Sequence, residues 1–143
     1  MTEGKEMGFI YTELILENPE DVTLSRVGFI KPEEVRRVTV NALVDTGAVR
    51  MVISEELRQK LGLRIIEKGT STVAGDSTVE NSLAEAVNMY WKDRTASQRV
   101  LVLPKQKVPL MGALVLEEMD LMPDPLHETV VGRHGDKPMS IIM

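Results

Sequence analysis

Leu43-Val44-Asp45-Thr46-Gly47-Ala48 is the stretch on which the fold turns. The apolar run Val38 to Val44 leads into it and delivers one carboxylate to a tight turn of small residues. Val38, Val40, Ala42 and Val44 alternate with Thr39, Asn41 and Leu43, the period-2 pattern of a strand, and Asp45 follows the Leu43 face. A carboxylate at the end of a buried strand costs several kcal/mol unless it is paired, hydrogen-bonded or protonated. A charge placed there calls for a function or a partner.

Downstream, Met51-Val52-Ile53 is a short apolar run, and Ser54 then offers an N-cap hydroxyl to a free amide of a first helical turn. Glu55 and Glu56 place negative charge at the helix start, Leu57 and Leu61 form a stripe, and Gly62 fits a C-cap, which predicts a helix over 55–61. Farther on, Leu110-Met111-Gly112 precedes a second predicted helix, Ala113 to Met119. These residues together resemble the retropepsin-like aspartic proteases, the single-domain relatives of pepsin, in their small prokaryotic form. That family carries two apolar residues, Asp, Thr or Ser, Gly, and Ala or Ser, which Leu43 to Ala48 match at every position. It also carries a second pair of apolar residues followed by Gly before a short helix, which Leu110 to Gly112 match. The resemblance spans roughly Met7 to Asp124.

The rest of the chain reads as short strands. Gly8 to Glu17 is strand-like and stops at Asn18-Pro19; Pro19 to Pro32 is polar and mixed, with Val22 to Leu24 and Val27 to Ile30 as short strand candidates. Lys31 to Glu34 is a turn signal, and Leu63 to Thr70 is extended. Gly75-Asp76 sits between β-prone flanks and reads as a hairpin turn. Ala84, Ala86, Asn88 and Tyr90 alternate with Val87, Met89 and Trp91; Gln98 to Leu103 is a buried strand; Thr129 to Val131 is a further candidate. Many short strands with one or two short helices predict a mainly β closed barrel or sandwich, with residues 1–143 as one domain.

Composition narrows the function classes. The chain of 143 residues is 43 % hydrophobic but only 3 % aromatic, with nine Met, so the core is aliphatic and Met-rich. It has no Cys, which excludes disulfides, a thiolate nucleophile and Cys-ligated zinc. A net charge of −5 disfavours nucleic acid as a partner, since phosphate recognition needs a basic face. The polar N-terminus and the lack of a long apolar run predict no membrane association and a cytoplasmic protein. His127 and His134, in a polar tail, read as solvated, and no metal site is predicted; Glu117, Glu118 and Asp120 read as a solvated helix face.

The resemblance implies an aspartic endopeptidase acting on polypeptide, with no metal or organic cofactor. Such chemistry needs two adjoining carboxylates sharing a proton, because like charges that close cannot both ionise; the aspartic-protease dyad is the standard example of this effect. The chain has a single Asp-Thr-Gly, so the resemblance implies a homodimer in which Asp45 of each copy meets at the axis. Thr46 then bonds across to the partner, Gly47 permits close approach of backbone and substrate, and Ala48 packs beside it. Gly75 and Asp76 fall where the family has its flap, which binds extended peptide. Phe9 to Leu16 and Met139 to Met143 are candidates for an intersubunit sheet. Val49, Arg50 and Ala113 depart from the ionic dimer anchors of retroviral members. The alternative is a catalytically silent module of this fold that binds peptide or dimerises. Without the surrounding motifs, Asp45-Thr46-Gly47 would be an ordinary strand-end turn.

Overall fold

The computed structural model describes residues 9–72, 75 and 77–135. Among these are strands β1 (Tyr11–Glu17), β2 (Arg37–Val44), β3 (Val52–Ile53), β4 (Ile65–Thr72), β5 (Thr78–Trp91), β6 (Arg94–Val102), β7 (Leu110–Met111), β8 (Leu121–Asp124) and β9 (Thr129–Gly132). Helices α1 (Pro19–Arg26), α2 (Glu55–Leu61) and α3 (Ala113–Met119) and a 3-10 turn at Pro32–Glu34 complete them. The helices number three, against the one or two expected.

The seven strands of the main sheet run β1-β2-β7-β3-β6-β5-β4, and β1 also pairs with β5. That extra pairing closes six strands into a ring and leaves β4 hanging on β5. Inside the ring lie Leu14, Leu16, Met51, Ile53, Val87, Met89, Val100 and Met111, all fully buried, with Leu61 and Leu63 beside α2 and Met119 at the end of α3. The core is aliphatic and Met-rich, as composition requires. Trp91 is buried too, its indole N–H donating to Thr12 Oγ1 at 2.7 Å.

β1 is held on both sides over Ile15–Glu17, by β2 and by β5, so this part of the segment expected in an intersubunit sheet is consumed within the chain. Met139 to Met143 lie outside the described residues. At the ring closure Glu17 is buried and accepts from the Arg37 guanidinium, from Asn88 and from the Tyr90 hydroxyl at 2.7 Å. Burial alone pushes its carboxyl up, but these donors outweigh it and hold it below the ordinary value of 4.5.

The polar stretch after β1 is the main departure from expectation. Asn18-Pro19 does not merely stop a strand; it starts a helix. The Asn18 side chain accepts from the Asp21 amide, Pro19 occupies the first turn, and Glu20 and Asp21 put negative charge at the positive end of the helix. Val22 to Leu24 are therefore helical. The helix is bolted down by polar contacts: Asn18 Nδ2 donates to Leu61 O at 2.7 Å, and buried Asp21 takes a two-pronged bond from Arg36. On β5, Ala84 is buried with Val87, Met89 and Trp91 instead of sharing the Ala86 face, because a bulge between Ala84 and Ala86 shifts the register against β6.

At the C-terminal side, β8 and β9 form a separate hairpin. Buried Arg94 ties it to the barrel by donating to the carbonyls of Met119, Asp120 and Gly135. Asp120 is not a solvated helix residue: it is buried, caps α3 in the left-handed conformation, and lies 2.8 Å from His134 Nδ1. His127 similarly lies 2.8 Å from Asp124. No helix among the described residues is long and apolar enough to cross a membrane.

Candidate active site

Asp45 stands where β2 leaves the barrel. β7, far away in sequence, inserts between β2 and β3, parallel to the first and antiparallel to the second. The insertion fixes the backbone on either side of the acid. Leu43 N–H donates to Pro109 O at 2.9 Å, and Asp45 N–H donates to Met111 O at 3.0 Å.

Beyond Asp45 the chain makes a tight turn. Ala48 N–H donates to Asp45 O at 3.1 Å, and Gly47 N–H donates to Asp45 Oδ1 at 2.9 Å. The second bond orients the carboxylate and leaves Oδ2 outside it. A Cβ on Gly47 would stand 3.2 Å from that same oxygen, so a side chain there would crowd the carboxylate. Asp45 and Ala48 are half-buried, while Thr46 and Gly47 are exposed.

The loop is then locked to α3. The first amides of a helix lack partners within it, and Gly112, at the N-cap, has no side chain to offer them. The loop supplies the acceptors instead: Ala113 N–H donates to Ala48 O at 2.8 Å and Leu114 N–H to Val49 O at 3.0 Å. This contact demands glycine at 112, where a Cβ would lie 2.4 Å from Arg50 O and 2.8 Å from Ala48 O. The two sequence motifs, one around Asp45 and one at Leu110-Met111-Gly112, thus meet as a single backbone unit.

Ser54 and Gly62 cap α2 as expected, the serine hydroxyl accepting from Leu57 N–H and Gly62 adopting the left-handed conformation at φ 70°. Gly75 lies in the turn joining β4 to β5, exposed and left-handed at φ 81°. Asp76 lies outside the described residues. Thr78 to Asn81 pair with Thr72 to Gly69, whereas β6 backs β5 only from Ser82 onward, so the end of this hairpin is a two-stranded arm. Between the arm, α2 and Pro104 lies a cleft of about 640 Å³, lined by Glu55, Arg58, Lys68, Thr70 and Glu80 among others. Asp45 is not among its lining residues. The structure therefore joins Asp45, Thr46, Gly47 and Ala48 on one loop and puts Gly75 on a separate arm.

Phe9 and Tyr11 belong to the segment expected at an intersubunit sheet and Val49 to the departures from ionic anchors, but their common apolar flank with Leu114 is visible only in the fold. Phe9, Tyr11, Val49 and Leu114 are large apolar side chains left substantially exposed. Tyr11 is the register partner of Leu43, Ile10 O accepts from Val44 N–H, and Leu114 is bonded to Val49, so the four flank the Asp45 loop. Their signal was available only as apolar residues at strand and loop ends, which is no different from core.

A family model described as aspartyl protease matches residues 33–125. Comparison with curated protein sequences gives no match. Among solved structures, EIAV protease complexed with the inhibitor HBY-793 is similar at 20 % identity over 82 % of this chain and 92 % of its own, with a TM-score of 0.54. The retroviral protease-like domain of Ddi1 from Leishmania major is similar at 13 % identity over 93 % of this chain and 94 % of its own, with a TM-score of 0.57. At such identities the likeness is one of fold.

Proposed function

The chain belongs to the aspartyl protease family and has a retropepsin-like fold, and from that premise we propose that it is an aspartic endopeptidase that works as a homodimer. The observation that carries this reading is the locked Asp45 loop. It holds one half-buried carboxylate in a defined orientation, with Gly47 N–H on one oxygen.

One Asp45 cannot perform the reaction. With a second copy apposed, the two carboxyls share a proton and titrate as a pair. The ionised oxygen takes a proton from a water as that water attacks the amide carbon. The protonated partner donates a hydrogen bond to the carbonyl oxygen and then protonates the departing nitrogen. No metal or organic cofactor enters. Thr46 bonds across to the partner loop and keeps the two in register, Gly47 permits close approach of backbone and substrate, and Ala48 packs beside it. The arm carrying Gly75 and Asp76 closes over an extended peptide, adding strand-like hydrogen bonds. The exposed Phe9, Tyr11, Val49 and Leu114 support a second copy on this side, since apposition would remove them from water.

The test is cleavage of a mixed peptide library followed by mass spectrometry at pH 4 to 7, wild type beside Asp45→Asn. Cleavage by wild type and a loss of at least about a thousandfold in the variant is the expected result, since the amide cannot take part in proton sharing. Equal cleavage by both would sink the proposal. So would a strict monomer at high concentration in sedimentation. A dimer with no cleavage would leave a silent peptide-binding module of the same fold.

A further inference from the structure

Below the two-stranded end of the β4–β5 arm, where β6 still backs β5, both strands of the hairpin are irregular. β4 skips a partner between Ile65 and Glu67, and β5 skips one against β6 between Ala84 and Ala86. The skipped residues, Ile66 on β4 and Glu85 on β5, lie on either side of the Ile65–Ala84 pair, and Glu85 faces Arg64. A bulge bends its strand and raises its twist, so two on successive sides of one rung bend the hairpin just before its two-stranded end. Ile66 is accordingly turned outward, 47 % exposed.

At that level Arg64 and Glu85 engage each other completely. Arg64 N–H donates to Glu85 Oε1 at 2.7 Å, Arg64 Nε to Glu85 Oε2 at 3.0 Å, and Glu85 N–H returns a bond to Arg64 O at 3.0 Å. Main chain and side chain of each residue take part, which favours one geometry at the start of β4. The guanidinium also reaches Glu20 of α1 at 3.4 Å. α1 is itself fixed to α2 through Asn18 and Leu61 O. The joint is braced from outside by an element anchored elsewhere.

We propose that Arg64 and Glu85 are positioning residues for substrate capture: they set the angle of the arm at its root, with Glu20 as an outer stay. This rests on the peptidase reading, in which the arm closes on the peptide. Neither residue touches the reacting atoms. An arm with only two strands is marginally stable by itself, so its position depends on its root.

The experiment compares Arg64→Ala, Glu85→Ala, the double variant and Arg64→Lys in the full chain. Amide hydrogen exchange is followed by mass spectrometry over 67–72 and 77–82, alongside peptide KM and kcat. Each single alanine variant is expected to speed exchange in the arm by about two- to fivefold, while exchange at Ala113 and Leu114 stays unchanged. The double variant is expected to add little to either single one, because both remove the same joint. Arg64→Lys, which keeps the charge but not the fork, falls between. KM is expected to rise several-fold with kcat within about twofold. Unchanged exchange in the arm, or fully additive single effects, would overturn the joint. Faster exchange with KM unmoved would overturn its role in capture. Exchange is read without catalysis, so a protein that cleaves nothing would refute the peptidase reading and still decide the joint.

Discussion

The Asp45 loop and the β4–β5 arm both project from the barrel, yet they are held in opposite ways. The loop is short and, apart from the Gly47 N–H bond to Asp45 Oδ1, the constraints on it are backbone to backbone. β7 bonds it on one side, two helix amides bond its carbonyls, and Gly112 presses against it with no side chain between. The arm is long, has two strands at its end, and is held at its root by charged side chains. On the proposed peptidase reading this is a division of labour. A group that must meet a reacting atom tolerates little freedom, because misplacement by about an ångström is costly. A group that must admit and cover a chain needs an open state, and such segments come from the low-stability end of a fold.

The comparison breaks most directly at Gly112. A methyl there meets backbone oxygens at 2.4 and 2.8 Å, which cannot swing aside as a side-chain tip would. Gly112→Ala is expected to cost about 3 kcal/mol or more, and denaturant unfolding measures it. A loss below about 1 kcal/mol would mean the loop yields, and the contrast with the arm would fall.

Acid sharpens it at smaller scale. The bonds from Ala113 and Leu114 to the loop contain no titrating group, whereas the surroundings of the arm do. Arg58, then Gln59, hold the Glu55 carboxyl down to about 2, and Arg64 holds Glu85 below its ordinary 4.5. A carboxyl lowered in the folded state adds stability that is complete above about 4.5 and disappears as pH falls toward the folded value. Stability is therefore expected to drop by less than about 1 kcal/mol for each such pair between pH 5 and 2, these being partly exposed. Denaturant titrations across that range read it, and Arg58→Ala is expected to flatten the curve. Faster acid-induced exchange at Ala113 and Leu114 than in the arm would contradict the comparison.

The smallest effect belongs to the arm's turn. Gly75 is left-handed but has nothing within 4 Å of where a Cβ would stand. Gly75→Ala meets only the backbone preference, about 1 kcal/mol, and that cost is expressed within the arm. The global unfolding midpoint is expected to stay unchanged, while exchange around residue 77 rises. A drop in the midpoint as large as that of Gly112→Ala would show that the arm is part of the global unit.

What was legible in the chain divides along the same line. Leu43 to Ala48, the caps Ser54 and Gly62, and Leu110 to Gly112 with the helix after it are local signals, and the elements formed where they were read. Short-range chemistry determines them. α1 is not legible in the sequence because Asn18-Pro19 is equally a strand stop and a helix start and its apolar pattern is weak; the polar contacts that seat it come from Arg36 and Leu61. The displacement of Ala84 onto the core face depends on a bulge, which no alternation rule contains. The burial of Arg94 and Asp120 depends on a hairpin folding back over α3, a long-range event. Of the site itself, the loop was readable, but the apolar flank formed by Phe9, Tyr11, Val49 and Leu114 is assembled from three separate segments.

The placement of β7 between β2 and β3 also fixes an order of events during synthesis. Leu43 takes Leu110 as its partner and Val44 takes Met111. While the ribosome is still adding the residues between, β2 and β3 have no strand to separate them and Asp45 has no Met111 carbonyl to bond. The first half of the chain, although it contains the acid, waits for the second. A nascent chain ending before Leu110 has none of the β7 bonds to this loop, so a chain released early by truncation carries Asp45 without the backbone frame that holds it.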